Sequence, residues 1–210
     1  MTPALGAAAP REPLEVAADA DLPAIVALMN RAYRGSGAQL GWTTEAGYID
    51  GSRTTLSLIR EEMRAGPDAT LLLRRAGPGG ELLGCVRVEP QDAGTWYLGS
   101  LTIDPRQQNR QLGRALLADA EEWIRARDGR EVVMTVVQLR EELIAWYGRR
   151  GYVPTGETKP FPYGDERFGT PRRDDLHFVV LRKQLWPRPA RPKQPPCIAP
   201  ADRLSAAAEQ

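Results

Sequence analysis

Residues 101–117 contain the residue types and spacing that point most directly to chemistry. An apolar stretch ends at Pro105, a short polar stretch follows, and an amphipathic helical pattern then begins. The first N–H groups of a helix lack an intrahelical acceptor and carry the positive end of the helix dipole, so this junction can bind an anion. Arg110 and Arg114 add positive charge beside it. Many strand–loop–helix junctions bind nothing, so a purely structural junction is the alternative.

Residues 140–152 form a second segment of interest, a short helical pattern rich in aromatic residues. The helix is predicted to end at Gly151, because glycine is the residue most often found just after a helix. Tyr147 carries a hydroxyl that can donate a proton. Aromatic residues near a helix C-terminus also commonly pack into the core, so the residue types leave both interpretations open.

The elements that must position these segments follow from the apolar periodicity. Helices are predicted at residues 22–33, from Ser52 or Thr54 to Gly66, at 112–129 and at 140–150. Strands are predicted at residues 14–17, 70–74, 81–89, 95–104, 131–137, 152–157 and 176–181. This order, β-α-α-β-β-β-α-β-α-β-β, predicts an α/β (α+β) protein with a mixed sheet and helices on both faces.

The first segment resembles the acetyl-coenzyme A loop of the GNAT N-acetyltransferase superfamily, whose motif reads Gln/Arg-x-x-Gly-x-Gly/Ala. Gln108 takes the first motif position and Gly113 the last, whereas Gln111 replaces the first glycine. The second segment resembles the family's Ala-x-x-Tyr helix, with Arg140 where the family often has Asn. The resemblance extends over residues 14–185 and implies a GNAT-like fold with a mixed, mostly antiparallel sheet of about seven strands.

The resemblance implies a metal-free enzyme that uses acetyl-CoA as co-substrate. It would transfer the acetyl group to a primary amine of a small molecule or amino acid by direct attack in a ternary complex. Backbone N–H groups of residues 108–114 would hold the pyrophosphate, and residues 101–103 would pair with the pantetheine arm as an added strand. The implied coenzyme-binding residues are Leu101, Thr102, Ile103, Gln108, Asn109, Arg110, Gln111, Leu112, Gly113 and Arg114.

Acetyl transfer to an amine poses two proton problems. A lysine-like amine with a pKa of about 10.4 must lose a proton, and the departing thiolate benefits from a proton donor. By the resemblance, Tyr147 faces the coenzyme sulfur and is the candidate donor. Residues 95–103 contain no carboxylate, so Glu89 on the neighbouring strand is the nearest candidate base, and a relay through water is the favoured alternative.

Two loops that flank the expected cleft, residues 41–53 and 159–169, combine aromatic residues, carboxylates and glycine. This composition suits the orientation of a small polar amine, with ordinary surface turns as the alternative. Gln111 in place of glycine motivates a second functional hypothesis, a non-catalytic module that binds acyl-CoA.

Composition and charge limit the other functional classes. The 210 residues include 28 basic and 27 acidic side chains, a net charge of +1 that gives no field to steer the chain to nucleic acid. No apolar run approaches the roughly 20 residues of a membrane span, and residues 1–13 do not resemble a signal peptide, so a cytoplasmic location is expected. Abundant Arg, Ala, Gly and Pro indicate a GC-rich, bacterial genome, and a homodimer is left open.

The chain is expected to have three parts. Residues 1–12 form a loose lead-in, residues 13–186 the acetyltransferase domain, and residues 187–210 a disordered tail. The tail contains six prolines, which oppose both helices and central strands. A solvated tail is the favoured interpretation, and a docking role is the alternative.

Overall fold

The structure, a computed structural model, describes residues 13–35, 44–66, 68–107, 111–165, 167 and 169–185. The expected lead-in and tail lie outside these residues, as do Gln108, Asn109 and Arg110. The helices are α1 (Leu22–Tyr33), α2 (Leu56–Ala65), α3 (Leu112–Arg125) and α4 (Glu141–Gly148). The strands are β1 (Glu15–Val16), β2 (Ile49–Asp50), β3 (Thr70–Arg75), β4 (Leu82–Asp92), β5 (Thr95–Ile103), β6 (Glu131–Val137), β7 (Val153–Pro160), β8 (Thr170–Pro171) and β9 (His177–Gln184).

Seven strands form one sheet in the order β1-β3-β4-β5-β6-β9-β7. All neighbours are antiparallel except β5 and β6, which run parallel. The remaining strands, β2 and β8, pair with each other as a separate antiparallel ribbon. The predicted α/β architecture with a mixed, mostly antiparallel sheet is therefore confirmed.

Helices cover both faces of the large sheet, as the sequence predicts. Successive side chains of a strand point to opposite faces, and β3 shows the division clearly. Leu71 and Leu73 belong to the core formed with α1 and α2, whereas Leu72 belongs to the core formed with α3 and α4. This placement leaves α3 and α4, the two helices of the segments singled out above, on the same side of the sheet.

The structure differs from several of the predicted elements. Helix α3 ends at Arg125, before Gly129, and strands β7 and β9 each continue three residues past their predicted ends. Strand β4 continues through Pro90 to Asp92, so that the turn to β5 is only Ala93-Gly94. Helix α2 begins at Leu56, because the Thr55 hydroxyl caps it by accepting a hydrogen bond from the Leu58 N–H at 3.2 Å. The ribbon of β2 and β8 was not predicted, since two-residue strands carry no periodic signal.

Strands β5 and β6 pair over only three residues of each strand. Thr95, Trp96 and Tyr97 lie opposite residues 131–133. Further along, the register of β5 against β4 shifts by one residue, and Ser100 adopts a positive φ of 51°. Such a bulge bends the strand that contains it. The two parallel strands consequently separate, and a cleft opens between them.

Asp104 anchors the end of β5. Its side chain is 1% exposed, and its carboxylate accepts hydrogen bonds from Arg31 of α1 at 2.7 Å and from the Arg106 backbone N–H at 2.9 Å. The Arg106 guanidinium donates to both carboxylate oxygens, at 3.0 and 2.8 Å. The carboxylate thus joins β5, α1 and the turn that leads to α3.

We predict that Asp104→Asn lowers the free energy of unfolding by about 2 kcal/mol at pH 7, because charge-assisted hydrogen bonds are lost. Hydrogen bonds from Arg106, opposed by burial and assisted by Arg31, hold the pKa of Asp104 well below its ordinary value. Since the folded pKa is the lower one, the stabilisation is present above the unfolded pKa of about 3.9 and is lost as pH falls through the folded pKa. Urea denaturation at pH 7 and at lower pH measures both effects.

The matched control is Asp19→Asn, which removes the carboxylate that pairs with Arg60 on the surface. It should destabilise the protein far less than Asp104→Asn, since exposed pairs contribute little. Equal losses in the two variants would contradict the anchoring role of Asp104.

Candidate active site

A cleft of about 1050 Å³ occupies the space between the separated ends of β5 and β6. Its walls come from β5, β6, the first turn of α3 and the inner face of α4, with the segments around residues 45–53 and 159–162 at its side. Both catalytic residues expected from the sequence, Tyr147 and Glu89, line it. So do Leu101, Ile103, Gln111, Leu112, Gly113 and Arg114 of the expected coenzyme-binding residues.

The first turn of α3 offers backbone donors to this cleft. The Ala115 N–H donates to the Gln111 carbonyl at 3.0 Å, so the N–H groups of Leu112, Gly113 and Arg114 precede the first intrahelical hydrogen bond. No side chain of the described residues caps this end. A Cβ at Gly113 would lie 3.6 Å from the Trp146 ring, an ordinary contact, which agrees with the Gly/Ala alternative of the motif.

Arg114 and Arg150 line the cleft beside these donors, and Arg149 is close to Arg150. The Arg150 guanidinium stacks on the Trp146 ring at 3.4 Å and donates to the Trp146 carbonyl at 2.6 Å. Burial, and then the positive charges of Arg114 and Arg149, lower the pKa of Arg150. An anion bound at this end would offset the repulsion among the three. Arg149 and Arg150 were not among the residues predicted from the sequence, although two consecutive arginines after a helix are a visible signal.

Strand β5 presents alternate residues to the cleft beyond its pairing with β6. Leu101 and Ile103 line the cleft, whereas the Thr102 side chain is buried and donates to the Ser100 carbonyl at 2.8 Å. The Leu101 carbonyl accepts a hydrogen bond from the Tyr33 hydroxyl at 2.9 Å. A ligand that paired with this edge as an added strand would therefore share that carbonyl with Tyr33.

Tyr147 both packs in the core and lines the cleft. Its side chain is 5% exposed, and its ring stands edge-on to those of Trp146 and Tyr152, with centroids 5.0 and 5.6 Å away. Burial, followed by the neighbouring Tyr33, raises the pKa of Tyr147 above its ordinary value near 10. The phenol consequently stays protonated at neutral pH, as a proton donor must. Its hydroxyl has no hydrogen-bond partner among the described residues.

Glu89 lies on β4 opposite Tyr97 of β5. Its Oε2 forms an ion pair with Arg87 at 2.6 Å. The Tyr97 hydroxyl and the Thr135 hydroxyl are 3.0 Å apart and bridge β5 to β6. Glu89 is thus near the closed end of the cleft, where the two parallel strands still pair.

The two loops expected to select the acceptor are held together. Ile49 and Asp50 of β2 pair with Pro171 and Thr170 of β8, and Arg172 closes an ion pair with Asp50 at 2.5 Å. Residues 45, 49 and 53 of the first loop and residues 159–162 of the second line the cleft. Residues 41–43, 166 and 168 of these loops lie outside the described residues.

His177 begins β9, where its backbone N–H donates to Gln138 at 2.9 Å, and it does not line the cleft. Within the described ranges, no group of three or more His, Cys, Asp or Glu side chains could hold a metal ion. None of the helices in those ranges has both the length and the apolar character needed to cross a membrane.

The sequence of residues 29–152, more than half of the chain, matches the model of the acetyltransferase (GNAT) family. The protein is a member of the GNAT acetyltransferase family. This membership confirms the resemblance drawn from the two segments, and the family uses acetyl-CoA. No curated protein sequence matches the chain.

Solved structures of this GNAT fold are similar across most of the chain. A putative phosphinothricin N-acetyltransferase is 15% identical, with a TM-score of 0.60 over 82% of this chain and 98% of the other. Ribosomal-protein-alanine N-acetyltransferase from Brucella melitensis is 20% identical, with a TM-score of 0.58 over 82% and 99%. A GNAT-family acetyltransferase from Streptococcus pneumoniae is 21% identical, with a TM-score of 0.55 over 82% and 98%. At these identities the similarity shows the fold alone.

Gln111, which replaces the first motif glycine, has a positive φ of 59° and precedes α3. This left-handed conformation costs a non-glycine residue about 1–2 kcal/mol. We predict that Gln111→Gly raises the free energy of unfolding by about 1 kcal/mol and leaves acetyl-CoA affinity equal or higher. Chemical denaturation and titration calorimetry measure the two quantities.

Gln111→Ala is the matched control, because it removes the side chain beyond Cβ and keeps the unfavourable φ. It should show no gain in stability. A tenfold loss of acetyl-CoA affinity in Gln111→Gly would instead mean that the Gln111 side chain contributes to binding.

Proposed function

We propose that this GNAT protein is an acetyl-CoA-dependent N-acetyltransferase whose acceptor is a primary amine of a small molecule or amino acid. The observation that carries the proposal is the cleft between β5 and β6. It joins a helix N-terminus that no side chain of the described residues caps, flanked by arginines, to a protonated buried tyrosine. When bound, acetyl-CoA would supply the acetyl group as a thioester, which the amine attacks directly in a ternary complex.

Different residues of the cleft would bind different parts of acetyl-CoA. The N–H groups of Leu112, Gly113 and Arg114 suit the pyrophosphate, because they precede the first intrahelical hydrogen bond and lie at the positive end of the α3 dipole. The guanidinium groups of Arg114 and Arg150 suit the remaining phosphate charge. The open edge of β5 at Leu101 and Ile103 suits the amide-containing arm, which can pair with it as a strand does.

The Tyr147 hydroxyl would donate a hydrogen bond to the departing sulfur, and water would complete the protonation of the thiolate. The raised pKa of Tyr147 keeps the donor form populated at neutral pH. Glu89 shares the cleft and would accept the amine proton, directly or through water. The ion pair with Arg87 already engages Glu89 Oε2, which favours the relay through water. Holding both reactants in one cleft would supply much of the remaining acceleration.

We predict that acetyl-CoA stabilises the protein. We also predict that, in a panel of amines, at least one accepts the acetyl group, so that acetyl-CoA is converted to free coenzyme A thiol. At one hundred times the dissociation constant, binding adds about 2.7 kcal/mol, which raises the melting temperature by about 5–10 °C. Thermal denaturation and a thiol-detecting assay measure the two outcomes. Coenzyme binding without acetyl transfer to any amine would favour the alternative, a non-catalytic acyl-CoA-binding module.

For Tyr147→Phe we predict a fall in kcat of about 10- to 10³-fold, with the KM for acetyl-CoA within about threefold of the original. The substitution keeps the ring and its contacts, so the melting temperature should change little. A purely structural tyrosine would give the reverse pattern, a lower melting temperature with an unchanged kcat.

Glu89→Gln tests which group accepts the proton that the attacking amine loses. If water carries the amine proton, kcat should fall by less than about tenfold, because an uncharged side chain of the same shape still fills the site. A loss of a hundredfold or more would identify the Glu89 carboxylate itself as the base.

A further inference from the structure

A second group of arginines lies at the acceptor side of the cleft, apart from those near α3. We call it the arginine pocket: Arg34, Arg53 and Arg140, gathered around Glu45 and Tyr33. All five residues line the cleft. They come from the end of α1, the two sides of the loop before α2, and the residue before α4.

Glu45 holds two of the arginines in place. Its Oε2 accepts from Arg34 at 2.5 Å and its Oε1 accepts from Arg140 at 3.2 Å. The side chains are 10% exposed for Glu45, 7% for Arg34 and 10% for Arg140. Burial raises the pKa of Glu45, but the charges of Arg140, Arg53 and Arg34 outweigh it, so the pKa falls below its ordinary value.

Tyr33 contacts the guanidinium of Arg53, the arginine that Glu45 does not bind directly. Arg53 and Arg140 lie over the Tyr33 ring at 5.5 and 5.6 Å from the centroid. The loop that carries Arg53 is fixed by Asn30, whose side-chain oxygen accepts from the Arg53 backbone N–H at 2.6 Å and whose amide donates to the Thr54 carbonyl at 2.8 Å. The positions of all three arginines are therefore set by the fold before any ligand arrives.

Counted over the described residues, the charges of the arginine pocket do not balance. Three guanidinium groups surround one carboxylate, in a region where two of the arginines are almost completely buried. Burial of charge without a counter-charge is costly. The Nε of Arg34 is buried and has no hydrogen-bond partner in the described part of the chain. The pocket thus has an excess of positive charge that an additional anion would neutralise.

The arginine pocket is next to the reacting groups and away from the expected phosphate site. The Tyr33 hydroxyl binds the Leu101 carbonyl, and Tyr33 and Arg140 both influence the titration of Tyr147. Arg140 precedes α4 and Arg150 follows it, so the two cationic regions are separated by the eight-residue length of the helix, about 12 Å. An anion in the pocket would belong to the acceptor and not to the coenzyme phosphates.

We propose that the arginine pocket binds an anionic group of the acceptor, so that the substrates are amines that also carry a carboxylate or a phosphorus oxyanion. The proposal rests on the acetyltransferase activity proposed above and narrows its substrate class. Guanidinium groups bind both kinds of oxyanion through paired hydrogen bonds. With the anion in this pocket, the amine of a short acceptor lies toward Tyr147.

The test compares each of the twenty L-amino acids with its carboxamide, and adds aminoalkylphosphonates, all with saturating acetyl-CoA and thiol detection. Carboxamides keep the amine and the side chain but lose the anionic group. At least one acid or phosphonate should be acetylated with a kcat/KM about tenfold or more above that of its neutral counterpart. The carboxylate and phosphonate arms distinguish the two oxyanions.

Arg53→Gln tests the pocket itself, because Arg53 is only partly buried and its backbone contacts with Asn30 remain. It should lower kcat/KM for anionic acceptors by about 10- to 100-fold through KM, and leave carboxamides and the KM for acetyl-CoA unchanged. Arg53→Lys should recover part of the loss. Arg60→Gln, which removes a surface arginine paired with Asp19, is the matched control and should behave as the original protein.

The possible failures can be told apart. Equal turnover of acids and carboxamides, or an unchanged preference in Arg53→Gln, would overturn the arginine pocket proposal and leave the acetyltransferase proposal intact. Absence of transfer to every amine would overturn the acetyltransferase proposal. In that case the arginine pocket proposal is tested by binding. The melting temperature of the acetyl-CoA-saturated protein is measured with each acid, in the original protein and in Arg53→Gln. At least one acid should raise it in the original protein and fail to raise it in Arg53→Gln, and the proposal is overturned if none does.

Discussion

The separation of two parallel strands is the constraint on which the site depends. β5 and β6 pair through residues 95–97 and 131–133, and the bulge at Ser100 then turns β5 away. An unpaired sheet edge inside a protein would normally be costly, because buried backbone groups need partners. Here the separated edge borders a cleft, where solvent or an amide-containing ligand can satisfy it. The same bend carries the chain to Asp104, which binds Arg31 and Arg106 and so joins the end of β5 to α1 and to the turn that leads to α3.

The cleft is organised by charge from end to end. Near α3, the helix dipole and Arg114, Arg149 and Arg150 form one positive region. In the arginine pocket, Glu45 is the one carboxylate, within the described ranges, among the three guanidinium groups, which leaves a second positive region. Tyr147, neutral and buried, lies on the helix that separates them. In the proposed reaction, the coenzyme phosphates and an anionic acceptor would thus each be held by one positive region, with the neutral Tyr147 between them.

Local signals in the sequence predicted the parts of the site that are built from contiguous residues. The junction before α3 and the Tyr147 helix were found because each is one strand–turn–helix or helix–turn unit with a known motif. The arginine pocket could not be found in this way, since Arg34, Arg53 and Arg140 are brought together by long-range packing, and only Arg140 was noticed as a departure from the family. The left-handed conformation of Gln111 was hidden as well, because glutamine gives no sign of a positive φ. Pairing of β2 with β8 is a further long-range effect, and it could not be predicted because two-residue strands are too short to show a periodic pattern.

Tyr147 shows why packing and chemistry are compatible in one residue. Its ring fills core space against Trp146 and Tyr152, and that same burial raises the pKa of the hydroxyl. A cysteine-like thiol has a pKa of about 8.5, so complete proton transfer from such a phenol to the thiolate is uphill. In the proposed reaction the hydroxyl would therefore stabilise the developing negative charge mainly as a hydrogen-bond donor. Arg140 and Arg150 lower its pKa in part and would so strengthen the donor. A donor of this kind contributes less than a matched acid, and solvent replaces it in part when the hydroxyl is removed.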